Sequence, residues 1–136
     1  MTILHFSHIT GRATEIIDEI LAQSEFQNAP KLLFAFHLVV DDIVANIVNY
    51  AYTESDDDML DVEIESNDTE LSVTFKDKGI PFNPLDVEAP DVDSDISERQ
   101  LGGLGIFLVR QMMDKVEYQY ENGYNVLTVR KAHVKS

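Results

Sequence analysis

GGLGIFLVRQMMD, residues 102–114, sets Gly102, Gly103 and Gly105 directly before an apolar run with helical spacing, Ile106, Val109 and Met113. A glycine-rich loop therefore opens a helix. The first turn of a helix has N–H groups without intrahelical partners, its dipole favours negative charge, and glycines let a phosphate approach without a Cβ in the way. Such a start also serves as a plain tight turn, so the reading depends on what accompanies it.

Upstream, Pro30 is well placed to start a long helix running to about Tyr52. On a helical wheel Leu33, Phe36, Val40, Ile43, Val44, Ile47 and Ala51 share one broad apolar arc that should pack against a sheet. Asp42 and Asn46 lie one turn apart on another face, so they can act on one target together. Two readings stand side by side: a solvated stripe, or a carboxylate and an amide carbonyl presented to hydrated Mg2+, which prefers oxygen ligands.

The remaining elements read as a sheet with one further helix. TILHFSHI (2–9) suggests a first strand, and Ala13–Phe26 carries Ile16, Ile17, Ile20 and Leu21 at amphipathic helical spacing. Leu60–Ser66 and Leu71–Lys76 alternate around SNDTE, and Lys115–Glu121 and Tyr124–Lys131 alternate around Asn122-Gly123; both patterns are hairpins. In the second hairpin Val116, Tyr118 and Tyr120 are expected to face Val126, Thr128 and Arg130 in some register, as sheet residues without an assigned function. The run Asp56–Asp58 reads as a solvated loop.

The second strand runs into DKGIPFNP, residues 77–84. Its glycine and prolines can simply punctuate a strand end. A carboxylate at a strand terminus, followed two positions on by a residue without a side chain, can also accept a hydrogen bond from an amino group while a flat ring lies against the backbone. When buried, such an acceptor discriminates for a partner that carries the donor. Residues 85–101 are acidic, with Arg99 as the one base, and sit just before the glycines, where a lid or an acidic insertion fits equally.

Composition narrows the function classes. The chain has 136 residues, most simply one domain over 1–136, and 44% hydrophobic residues argue against disorder. A net charge of −15 opposes sequence-independent binding to nucleic acid, so no direct nucleic-acid partner is expected. The same charge repels a polyphosphate, so a nucleotide site must rely on local N–H groups and Mg2+. Without cysteine there are no disulfides or thiolate metal sites. The N-terminus lacks a secretory pattern, and no apolar run of membrane-spanning length is expected, giving a soluble cytoplasmic protein.

Asp42-x3-Asn46, DKGIPFNP and RQLGGLGIFLVRQMMD, in this order and spacing, resemble the N, G1 and G2 boxes of the GHKL (histidine kinase-like) ATPases. They are most similar to the small bacterial anti-sigma factor serine/threonine kinases. The resemblance covers roughly residues 10–130. It implies an α+β fold, a two-layer α/β sandwich of the Bergerat type with a mixed, mostly antiparallel sheet and helices on one face. It further implies that Asp77 binds the adenine amino group of ATP, that Gly79 leaves space for the ring, and that Asn46 ligates Mg2+. Gly102, Gly103 and Gly105 would hold the phosphates under a lid at about 85–101, and Arg99 or Lys78 would contact phosphate.

The implied activity is phosphorylation of a STAS-type anti-sigma factor antagonist, with sequestration of a sigma factor and a possible homodimer. The family has Glu where this chain has Asp42, the expected catalytic base, and commonly His where Tyr50 stands. Asp has the same chemistry but is one methylene shorter, and general-base action depends on reach. The alternative reading is a nucleotide-responsive binding module, weak or inactive in catalysis, in which ATP orders the lid and alters a partner surface.

Overall fold

The computed structural model describes residues 1–52, 58–83 and 109–133. Its strands are β1 (Thr2–Ser7), β2 (Met59–Ser66), β3 (Glu70–Asp77), β4 (Lys115–Glu121) and β5 (Tyr124–Ala132). They form one sheet in the order β1-β2-β3-β5-β4, and every pairing is antiparallel. The helices are α1 (Ala13–Leu21), α2 (Ser24–Gln27) and α3 (Pro30–Asn46), which continues into a π-helical turn, Ile47–Ala51. Residues 109–112 are also helical.

Alternation along the strands decides which face the helices cover. Leu4 and Phe6, Leu60, Val62 and Ile64, Leu71, Val73 and Phe75, and Leu127 and Val129 all point to one side and join the core formed with Ile16, Ile20, Phe36, Val40 and Val44. Burying an aliphatic or aromatic side chain of this kind stabilises by about 1.5–3 kcal/mol. The opposite face is polar. There Lys76 pairs with Glu63 at 2.8 Å, Thr74 bonds Thr128 at 2.9 Å, and Arg130 bridges Glu117 and Glu70 at 3.0 Å each. This is the expected α+β sandwich with helices on one face.

Two expectations about the helices are corrected. The helix expected over 13–26 divides, because Gln23 is extended (φ −68°, ψ 150°). The Gln23 and Gln27 amides donate to the carbonyls of Glu19 and Leu21, each at 2.9 Å, satisfying the end of α1. The turn brings Phe26 into the core, edge-on to Phe36 at 5.5 Å. In α3, Leu32 takes the first buried position, and Leu33 is only partly buried.

The hairpin register also differs from expectation. A two-residue loop with Asn122 and Gly123 at positive φ (55° and 85°) pairs Glu121 with Tyr124. That sets Val116 opposite Val129, Tyr118 opposite Leu127 and Tyr120 opposite Asn125, so the facing set is Asn125, Leu127 and Val129 in place of Val126, Thr128 and Arg130. A one-residue slip exchanges the faces of every side chain.

The stretch Pro30–Ala51, 22 residues that include an 18-residue window of mean hydropathy 1.6, is long and apolar enough to cross a membrane, contrary to expectation. Its buried residues, from Leu32 and Phe36 through Val44 to Ala51, lie in the core with the sheet, which accounts for that composition.

Candidate functional site

The site is built where β3 ends against the end of the long helix. Asp77 is the last residue of β3, and strand alternation turns it to the helix-covered side, 3% exposed. Its Oδ1 accepts the Gly79 N–H at 2.9 Å and the Asn125 Nδ2–H at 3.0 Å. Asn125 stands directly opposite Asp77 in the β3–β5 register and is itself buried. A charged acceptor with two donors on one oxygen has a fixed orientation.

The chain leaving Asp77 is fastened to the end of the helix. The Lys78 N–H donates to the Tyr52 hydroxyl at 2.7 Å, and that hydroxyl donates to the Met59 carbonyl at 2.6 Å. The Ile80 N–H donates to the Ala51 carbonyl at 3.0 Å. Gly79 lies between them, and a Cβ there would stand 2.5 Å from the Ala51 oxygen and 2.6 Å from its Cβ. The absent side chain is therefore required by the helix itself. Burial pushes the Tyr52 phenol up to about 12, against the opposing effect of its backbone hydrogen bonds.

Asn46 is the last α-helical residue before the π turn. Wide helical turns of this kind are uncommon and recur at functional sites. The Asn46 Oδ1 is buried and has no hydrogen-bond partner among the described residues. Buried carbonyl oxygens are almost always satisfied, so an orphaned one calls for an explanation. Asp42 lies one turn earlier, half-buried; burial, reinforced by Asp41 beside it, pushes its carboxyl above the usual carboxylate range.

Of the expected site residues, the described structure brings Asp77 and Gly79 together and joins their segment to the element that carries Asp42 and Asn46. Lys78 places its ammonium over the Tyr124 ring, 5.4 Å from the centroid. Gly102, Gly103, Gly105, Arg99 and the 85–101 segment lie outside the described residues, as do Asp56 and Asp57. Asp58 is described, and it accepts from the Thr10 N–H and hydroxyl at 2.9 and 2.8 Å.

Three residues of this constellation were not singled out from the sequence: Asn125, Tyr118 and Tyr52. Asn125 shares its strand parity with Leu127 and Val129, so an amide on the apolar face was a readable signal. Tyr52 and Tyr118 carried none, since their partners lie 26 and 7 residues away.

A family profile for the histidine kinase-like ATPase domain matches residues 8–131. The chain is 28% identical over 99 residues to the serine/threonine-protein kinase BtrW of Bordetella bronchiseptica, covering 73% of this chain and 70% of that protein. It is 28% identical over 97 residues to the serine-protein kinase RsbW of Listeria monocytogenes, covering 68% and 62%. The RsbW of Staphylococcus aureus is 28% identical over 94 residues, covering 65% and 59%. The chain thus matches about three fifths of the length of the RsbW proteins.

Proposed function

The chain belongs to the histidine kinase-like (GHKL) ATPase family, and on that footing we propose that it binds ATP with Mg2+ and phosphorylates a serine or threonine of a partner protein. The names of the relatives, all protein kinases, support this reading. The partner is a STAS-type anti-sigma factor antagonist, and the chain also sequesters a sigma factor, as the box resemblance implies. Cytoplasmic location, a homodimer and a single ATP-binding domain over 1–136 belong to the same proposal.

The observation that carries it is the Asn46 Oδ1. A buried amide oxygen without a protein partner fits a hard cation that takes oxygen ligands and retains water. Held by the Asn46 Oδ1, Mg2+ would supply charge neutralisation for the phosphates. Asp77, buried and oriented at the sheet end, accepts from the adenine amino group. The amides of Gly102, Gly103 and Gly105 and the side chain of Arg99 hold the phosphates.

Asp42 takes the proton of the partner hydroxyl. The hydroxyl oxygen bonds to the γ-phosphorus while the bond to ADP breaks. Burial raises the Asp42 carboxyl toward the pH at which a base works best, which suits this role despite the shorter side chain. That shorter reach is what favours the second reading, a nucleotide-responsive binding module without transfer.

The test is incubation with radiolabelled ATP and Mg2+, with and without a STAS-domain partner. Label on a partner serine or threonine, lost in Asp42→Ala, is the expected result. ATP binding with no label on any cognate partner supports the binding module instead.

A further inference from the structure

We propose that Asn125 is a positioning residue that aims Asp77 at the nucleotide base and so sets the preference for a base carrying an exocyclic amino group. The inference rests on the ATP reading above and deepens it.

The geometry begins with the sheet register. Asn125 and Asp77 are direct cross-strand partners on the helix-covered face, 4% and 3% exposed. Asn125 Nδ2 donates to Asp77 Oδ1 at 3.0 Å and to the Ile80 carbonyl at 3.0 Å, with the Gly79 carbonyl a longer third contact at 3.4 Å. Its Oδ1 accepts the Phe82 N–H at 3.2 Å and the Tyr118 O–H at 2.5 Å. The orientation of the amide follows from its partners, because the Phe82 N–H can only donate and the Ile80 carbonyl can only accept.

An asparagine amide has two donor hydrogens and two acceptor lone pairs, and here all four are engaged within the protein. Nothing is left for a ligand, so Asn125 acts through the groups it holds. It holds one oxygen of Asp77, and it also holds the backbone of residues 79–82, the segment against which a flat base would lie. Tyr118, diagonal to Asn125 on β4, fixes the amide from the far side. Removing Asn125 takes away one of the donors that hold the Asp77 carboxylate and loosens the 79–82 segment, and discrimination by a buried acceptor depends on its being held in place.

The measurement is calorimetric titration of the full chain with ATP and, separately, with inosine triphosphate, in which a carbonyl replaces the amino group, both with Mg2+. Wild type is expected to prefer ATP. In Asn125→Leu that preference should fall by more than about tenfold, with inosine triphosphate affinity falling less than ATP affinity, as expected when a charged acceptor loses its aim. Tyr118→Phe, which leaves the ring in place, should lose several-fold of the preference and decides the matter if Asn125→Leu does not fold.

An equal fall for both nucleotides would mean that Asn125 only supports the fold, and overturns the inference. An unchanged ATP preference in folded variants overturns it too, while leaving the ATP reading intact. Failure of wild type to bind either nucleotide sinks both.

Discussion

Gly79 and Ala51 approach so closely that a Cβ on the glycine would lie 2.5 Å from the alanine carbonyl oxygen, which at the same time accepts the Ile80 N–H. The contact joins the segment leaving Asp77 to the end of the element that carries Asp42 and Asn46. Base-side and metal-side residues of the proposed site are thereby parts of one mechanical unit.

Gly79→Ala should therefore destabilise the chain by about 1–3 kcal/mol through overpacking, read as a lower urea midpoint. Ala51→Gly should not rescue it, because the closest obstacle is a backbone oxygen. Full stability in Gly79→Ala would show that the contact is not held in solution.

Asn46→Ala removes an oxygen that has no partner among the described residues, so thermal stability should hold or rise slightly. Nucleotide affinity should fall more than about tenfold with Mg2+ present and change little in EDTA. An equal loss in both conditions would remove Asn46 from the metal role.

Asp42 gives a pH signature. Its folded pKa is raised by burial and by Asp41, so between the ordinary and the raised value the folded state binds more protons than the unfolded state. Stability is lost as pH rises through that window, and the penalty is complete above the raised value. Asp42→Asn should melt a few degrees higher at pH 7, with the difference vanishing below the ordinary carboxylate range. Loss of transferred phosphate in the same variant would match a residue kept for chemistry at the expense of stability.

Tyr52→Phe removes the hydroxyl between Lys78 and Met59 and should cost about 1–2 kcal/mol at neutral pH. The wild-type phenol stays protonated in the folded state to about 12, while the unfolded one ionises at its ordinary value. Stability from this group is thus present below the ordinary value and lost as pH rises toward about 12. The gap between wild type and variant in denaturant titrations should narrow over that alkaline range, and a constant gap would contradict the assignment.

Much of the fold was legible because it rests on local periodicity. The alternation of Leu60, Val62 and Ile64, and the Asn122-Gly123 turn, fix strands and a hairpin without knowledge of distant contacts. What escaped is nonlocal. The pairing of β3 with β5 brings Asn125 opposite Asp77 across 48 residues, and no spacing rule reaches that far. The break at Gln23 follows from the pull of Phe26 into the core, which overrides the helical pattern on either side.

The reading of Gly79 shows the same limit. A residue without a side chain was foreseen as room for a ring, and the structure adds a steric reason within the protein, the carbonyl of Ala51. Asp42, Asn46 and Asp77 could be proposed from the sequence because polar groups at those positions suit oxygen-liganded metal and amino-group chemistry. Their joining by Tyr52 and Ala51 depends on where the helix end meets the strand end.

The most direct test of the central claim is calorimetric titration of ATP with Mg2+ into wild type and Asp77→Asn, each checked for an intact melting transition. The account predicts saturable binding by wild type and a loss of more than about tenfold in the variant, as expected when a charged acceptor is neutralised. No binding by wild type, or equal affinity in both proteins, would contradict it.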